Sequence, residues 1–173
     1  MKILMILASE NFRDSEYIIP RSFWENLGAT VMTAAQTIDA VGRFGYKLHT
    51  DLLLSGAAAW DFDAVFFVGG GGCLALSDDP DAKRLAWECI DQKKPLGAIC
   101  AAPILFLQWG ILKGKTFTGW NGDKELEKLG KTAGATYKLK STLVDGTILT
   151  AEGPSVGEEA AVEFFKLIKK VRE

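Results

Sequence analysis

One histidine, three cysteines and no apolar run long enough to cross a bilayer set the first limits on what this chain of 173 residues does. The lone imidazole, His49, cannot seed a Cys/His metal site by itself. Cys73, Cys89 and Cys100 fall at irregular spacing that fits no disulfide framework. No metal and no cofactor are assigned. Charge of one sign is missing as well. Twenty basic residues stand against 22 acidic ones, interspersed along the chain, so neither nucleic acid nor an anionic membrane is expected as a partner. The cluster Lys166, Lys169, Lys170 and Arg172 suits the carboxyl end of a helix, where cations complement the dipole. The opening run Ile3 to Leu7 is too short for a membrane span and lacks a following cleavage site, so it reads as a first strand of a cytoplasmic protein.

What is present is apolar residue in quantity. At 48% hydrophobic, with no linker-like stretch, the chain can bury one substantial core, and residues 1–173 read as a single domain. Short apolar runs alternate with longer amphipathic segments, the pattern of an α/β fold around a mostly parallel sheet. Strands are expected at Lys2 to Leu7, Thr30 to Ala34, Tyr46 to His49, Ala64 to Val68, Pro95 to Ile99 and Thr147 to Thr150. Those at 64–68 and 95–99 are apolar on both faces, as strands covered by helices on each side must be.

Helix ends carry their own chemistry. Asp79-Pro80 offers a cap followed by proline at the first helical position, opening a segment that turns Ala82, Leu85, Ala86, Cys89 and Ile90 to one face. Ser155 with Glu158 reads as a capping box for a last helix presenting Ala160, Ala161, Phe164, Leu167, Ile168 and Val171 inward. An early helix is expected to bury Ile19, Phe23, Trp24 and Leu27. Between Gly119 and Gly146 the pattern loosens, with a helix over Asp123 to Thr132 and a hairpin turn at Asp145-Gly146.

Ligands of open parallel sheets bind beyond the carboxyl ends of the strands, so the two exits after the buried strands are the candidate site. After Val68 come Gly69, Gly70, Gly71, Gly72 and Cys73. Such a run implies close backbone approach or positive φ, with N–H groups free to bind an oxyanion; the Lys-Ser/Thr of a phosphate loop is missing. After Ile99 come Cys100, Ala101, Ala102 and Pro103, the layout of a nucleophile elbow with small residues around a thiol. Proline then starts a short helix whose dipole is expected to depress the thiol pKa. A buried structural cysteine remains the alternative reading of the same spacing.

The motifs Asn11-Phe12-Arg13-Asp14-Ser15-Glu16 leading to Pro20, Phe67-Val68-Gly69-Gly70, Gly42 to Asp51, Ala98 to Pro103 and Leu149-Thr150-Ala151-Glu152-Gly153-Pro154 resemble, in order, those of the ThiJ/PfpI (DJ-1/PfpI) superfamily. The resemblance implies a flavodoxin-like, three-layer sandwich, related to the class I glutamine amidotransferase sheet, assembled as a homodimer or higher homo-oligomer. It places Cys100 on the family nucleophile and Glu16 on the glutamate that contacts its sulfur, with Gly70 and Ala101 as oxyanion-binding N–H donors. A carboxylate beside a thiolate is repulsive, so Glu16 is expected to be protonated when Cys100 is ionised.

The chain resembles the members with alanine rather than histidine after the nucleophile. Ala101 therefore rules out a Cys-His-Glu triad at the elbow and weighs against an intracellular cysteine peptidase. No histidine follows residue 49 to complete an amidotransferase site. Trp120, with Gly71, is a candidate wall of the substrate pocket, although Trp120 in the core reads equally well. Cys73 is a candidate redox partner of Cys100 or a core thiol. The implied activity is glyoxalase- or deglycase-type, with a small carbonyl compound or glycated amine as substrate; the alternative is a redox-sensing or chaperone-like dimer that works through oxidation of Cys100.

Overall fold

Consecutive side chains of the central strands serve two different cores. Ile3, Met5 and Leu7 join one apolar cluster and Leu4 and Ile6 the other, and residues 64–68 divide in the same way. A strand covered on both faces needs this continuous apolar sequence, and covering helices supply the two outer layers.

The computed structural model describes residues 1–173. Strands β1 (Lys2–Ile6) and β2 (Glu10–Phe12) lead into α1 (Asp14–Asn26), followed by β3 (Thr30–Ala35), β4 (Asp39–Gly42), β5 (Lys47–His49) and β6 (Leu52–Leu53). The middle of the chain holds β7 (Ala64–Phe67), α2 (Pro80–Asp91), β8 (Leu96–Ile99) and α3 (Pro103–Gln108). The remainder comprises β9 (Thr116–Phe117), α4 (Glu125–Thr132), β10 (Thr136–Tyr137), β11 (Thr142–Asp145), β12 (Ile148–Ala151) and α5 (Gly157–Arg172).

The main sheet runs β11-β12-β8-β7-β1-β3-β6, parallel throughout except for the β11–β12 hairpin. The chain starts in the middle at β1, moves outward through β3 and β6, and then returns to β7 on the other side of β1. That reversal is a topological switch point, and it opens a crevice where β1, β7 and β8 end. Helices α2 and α3 cover one face and α1 and α5 the other, which makes the flavodoxin-like three-layer sandwich. On the α1/α5 side Trp24 packs edge-on against Phe66 at 5.2 Å and donates its indole N–H to the Ala161 carbonyl at 2.9 Å. These contacts fix α1, and with it the residues that open it, relative to the sheet.

Local chemistry explains most element ends. Asp79 caps α2, accepting from the N–H groups of Asp81 and Ala82 at 3.0 Å each. The β11–β12 turn forms at Gly146 as its sequence predicts, with Asp145 opposite Ile148. Several expectations need correction. Ser155 does not cap the last helix: Pro154–Val156 forms a separate 3-10 turn, and α5 starts at Gly157, which seats against Ile19 of α1. Val171, in the last turn of α5, is exposed and not part of its inward face. The inward stripe of α1 is Glu16, Tyr17, Pro20 and Trp24, while Ile19 and Leu27 are 38% and 52% exposed. The strand ending at His49 pairs with β4 in a small side sheet, β2-β4-β5, not with the main sheet.

Candidate active site

Three strand exits converge at the switch point. Beyond β8, Cys100 adopts the left-handed conformation, φ +63°. For a side chain with a Cβ this costs about 1–2 kcal/mol, so the surroundings must impose it. They do so from both sides: the Cys100 N–H donates to the Ala151 carbonyl at the end of β12, and the Cys100 carbonyl accepts from the Trp120 N–H, each at 2.9 Å. The thiol is thereby turned out of the strand into the crevice, half-buried, which is the elbow that the small residues Ala101 and Ala102 allow.

Beyond β1, the chain enters α1 through Arg13, and Glu16 in its first turn is completely buried. Pro20 lies four residues later and cannot donate to the Glu16 carbonyl, so this turn is less tightly bound than a regular one. Both Glu16 carboxyl oxygens lack a hydrogen-bond partner of regular geometry, and the polar groups that act on them are the Cys100 thiol and the Gly69 N–H.

Beyond β7, glycine is required by space as well as by conformation. A Cβ on Gly69 would lie 2.5 Å from Glu16 Oε2 and 2.9 Å from the Cys100 Cβ. Gly70, at φ +96°, leaves no room either, since its Cβ would sit 2.5 Å from the Arg13 nitrogen. The glycine run thus lets nucleophile, carboxyl and backbone donors share one small volume.

The electrostatics tie the two titrating groups together. Burial raises the Glu16 carboxyl from 4.5 to about 7, against the opposing pull of Cys100, the Arg13 charge and the Gly69 N–H. Burial, the Glu16 charge and the hydrogen bond to Glu16 push the Cys100 thiol up to about 12, while the N–H groups of Gly70 and Ala101 pull it down. The depressed thiol expected from the following helix is therefore not what the site produces. Helix α3 is only six residues long, and desolvation outweighs its end. A thiolate exists here when Glu16 holds the proton, so the pair titrates as a unit that loses one proton near neutrality.

The other predicted positions separate. Gly70 and Ala101 both present N–H groups to the sulfur, as the elbow geometry requires. Gly71 opens the 3-10 stretch Gly71–Leu76 with free space where a Cβ would stand. Trp120 is not a core residue: it is 47% exposed, and its indole rests on Gly122. With Asn121, Lys124, Tyr137, Leu139 and Glu152 it lines a surface cavity of about 530 Å³ to which neither Cys100 nor Glu16 contributes. Cys73 is free and fully buried, and burial in the first place, then the charges of Cys100 and Glu16, push it up to about 12. His49 is an exposed residue of the side sheet whose Nδ1 lies 2.6 Å from Asp39 Oδ1.

Two neighbours were not singled out from sequence. A Cβ on Gly153 would stand 3.8 Å from the Cys100 sulfur, and Arg13 acts on Glu16 by its charge. Both lie inside the motifs quoted above, which was the only signal available for them.

A model of the DJ-1/PfpI family matches residues 1–167. The chain belongs to the DJ-1/PfpI family. An uncharacterized protein of Methanocaldococcus jannaschii is 32% identical over 99% of this chain and 84% of its own length. A deglycase of Pyrococcus horikoshii is 28% identical over 98% of this chain and 100% of its own. Among solved structures, a ThiJ/PfpI domain protein from Brachyspira murdochii superposes with a TM-score of 0.91 at 29% identity, covering 98% of this chain and 96% of that one. The DJ-1/PfpI assignment agrees with the elbow, the buried glutamate and the strand order. No helix is long and apolar enough to cross a membrane.

Proposed function

We propose that this protein is a cysteine-dependent enzyme acting on small reactive carbonyl compounds or their amine adducts. The observation that carries the reading is the juxtaposition of a Cys100 thiol held at φ +63° with a buried Glu16 whose carboxyl is raised to about 7. Such a pair places a nucleophile and a carboxyl that is half protonated near neutrality on the same reacting carbon.

In this mechanism the Cys100 thiolate adds to the aldehyde carbon of an α-oxoaldehyde such as methylglyoxal. The carbonyl electron pair moves to oxygen, which the Gly70 and Ala101 N–H groups hold while Glu16 delivers its proton. The Glu16 carboxylate then takes the proton from the hemithioacetal carbon and returns it to the neighbouring carbon, leaving a thioester. Water hydrolyses the thioester to the hydroxy acid and frees the thiol. An amine adduct of the same dicarbonyl enters at the hemithioacetal, its N–C bond breaking and the amine leaving with the Glu16 proton. The Pyrococcus relative that bears the name deglycase supports this class of substrate. Ala101 at the position after the nucleophile leaves no imidazole for a peptidase-type triad.

A second reading rests on the two unpartnered Glu16 oxygens. Peroxide would oxidise the Cys100 thiolate to a sulfenate, its own O–O bond breaking with release of water, and protonated Glu16 would donate to the new S–O oxygen. The partner in either reading is a second copy of this chain. Replacing Cys100 with serine is expected to reduce methylglyoxal consumption to the background rate while the circular dichroism spectrum stays unchanged. Turnover at the wild-type rate in that variant removes the enzymatic reading. Selective oxygen addition at Cys100 without turnover in the wild type favours the second.

A further inference from the structure

Arg13 is a cation without a counterion. Its side chain enters no ion pair and no hydrogen bond, and its Nε is buried with no acceptor. The two nearest carboxyls do not serve it. Asp14 spends both oxygens on backbone, accepting from the N–H of Phe44 at 3.0 Å and of Tyr46 at 2.9 Å. Glu16 feels the Arg13 charge, yet neither of its oxygens is bonded to it. The guanidinium sits over the exposed ring of Phe44, 4.8 Å away, on the loop that Asp14 holds.

The position of this cation is fixed by backbone. The Arg13 N–H donates to the Gly69 carbonyl at 3.0 Å, and its own carbonyl accepts from the Glu16 N–H at 3.0 Å. Arg13 is thus tied through its backbone to the glycine exit on one side and on the other to the residue whose carboxyl its charge reaches. A planar, permanently charged fork with donors to spare is the side chain best suited to a carboxylate. A donor kept out of water without an acceptor is unfavourable until a ligand supplies one.

We infer that Arg13 is a specificity-determining residue that selects substrates bearing a carboxylate close to the reactive carbon. The inference deepens the carbonyl reading by naming its substrate class, and the anion recognition itself can be measured without turnover. Iodoacetate and iodoacetamide alkylate a thiolate by the same displacement, S–C forming as C–I breaks and iodide leaves, and they differ only in the carboxylate. The ratio of their rates in one protein cancels any change in thiol ionisation. In the wild type the iodoacetate to iodoacetamide ratio at Cys100 is expected to exceed that of free cysteine by about tenfold or more, the size of one charge-assisted hydrogen bond. In Arg13→Gln it is expected to fall to the free-cysteine value, and in Arg13→Lys to recover in part.

A wild-type ratio equal to that of free cysteine overturns the inference, as it would if an acidic group of a second copy occupies Arg13. So does an elevated ratio that survives Arg13→Gln. The wild-type comparison needs no variant to fold. If the ratio behaves as expected but methylglyoxal and its amino-acid adducts are not consumed, the carbonyl reading falls and anion recognition by Arg13 stands.

Discussion

Replacing Glu16 with glutamine tests the electrostatics of the site through the stability of the whole protein. In the native chain burial holds this carboxyl at about 7, whereas in the unfolded chain it titrates at 4.5. Between those values the native state keeps a proton that the unfolded state releases, so the folded state is progressively disfavoured as pH rises. The contribution is fully present below pH 4.5 and is lost as pH passes through about 7. A displacement of that size corresponds to about 3 kcal/mol, and no solvent discount applies because the side chain is completely buried. Glutamine has similar shape and no proton to lose. Urea unfolding of wild type and Glu16→Gln at intervals from about pH 4 to pH 8 isolates the titration of the Glu16–Cys100 pair, since the groups that do not interact with Glu16 cancel in the difference. The wild type is expected to lose about 3 kcal/mol relative to the variant across this window. Parallel stability curves would show that Glu16 ionises as an ordinary carboxyl and refute the shared proton on which the mechanism depends.

Two further outcomes follow from packing. Native protein is expected to present one reactive thiol to a disulfide reagent, Cys100, and three after denaturation, because Cys73 and Cys89 are fully buried; a second native equivalent would mean that the core opens near Cys73 and would revive its redox role. Cys100→Gly is expected to be more stable than Cys100→Ala by about 1 kcal/mol, because only glycine relieves the left-handed backbone, and equal stabilities by thermal melting would show that the elbow is unstrained.

The sandwich was legible because its central strands could not be anything else. Residues 64–68 and 96–99 are apolar on consecutive positions, and Asp79-Pro80 and Gly146 mark boundaries by chemistry that depends on few neighbours. What failed to show depends on distant partners. Ser155 has the residues of a capping box, yet the start of α5 is set by the seating of Gly157 on Ile19. Leu27 looks like a core residue of α1, but the stripe that turns inward is set by Tyr17, Pro20 and Trp24, and it carries Glu16 down with it. The side sheet built from β2, β4 and β5 is too short and too exposed to leave a periodic signal.

Within the site, residue types were readable and their energies were not. The elbow at Cys100 and the two N–H donors follow from a thiol flanked by small residues. The direction of the thiol shift depends on how completely the carboxyl and sulfur are withdrawn from water, which only the packed structure gives. Arg13 was passed over for the same reason: a cation beside a carboxyl normally finds it, and only the geometry shows that Asp14 is engaged by backbone and that Glu16 makes no hydrogen bond to the guanidinium.

The clamp on the Cys100 peptide also bears on the order of events during synthesis. Its two holding bonds come from Trp120 and Ala151, both of which are added to the chain well after Cys100. A nascent polypeptide still short of Ala151 lacks at least one of the two fastenings that hold the kink at Cys100. The strained peptide at this sulfur is therefore secured only after both later segments have been made and have folded back onto residue 100.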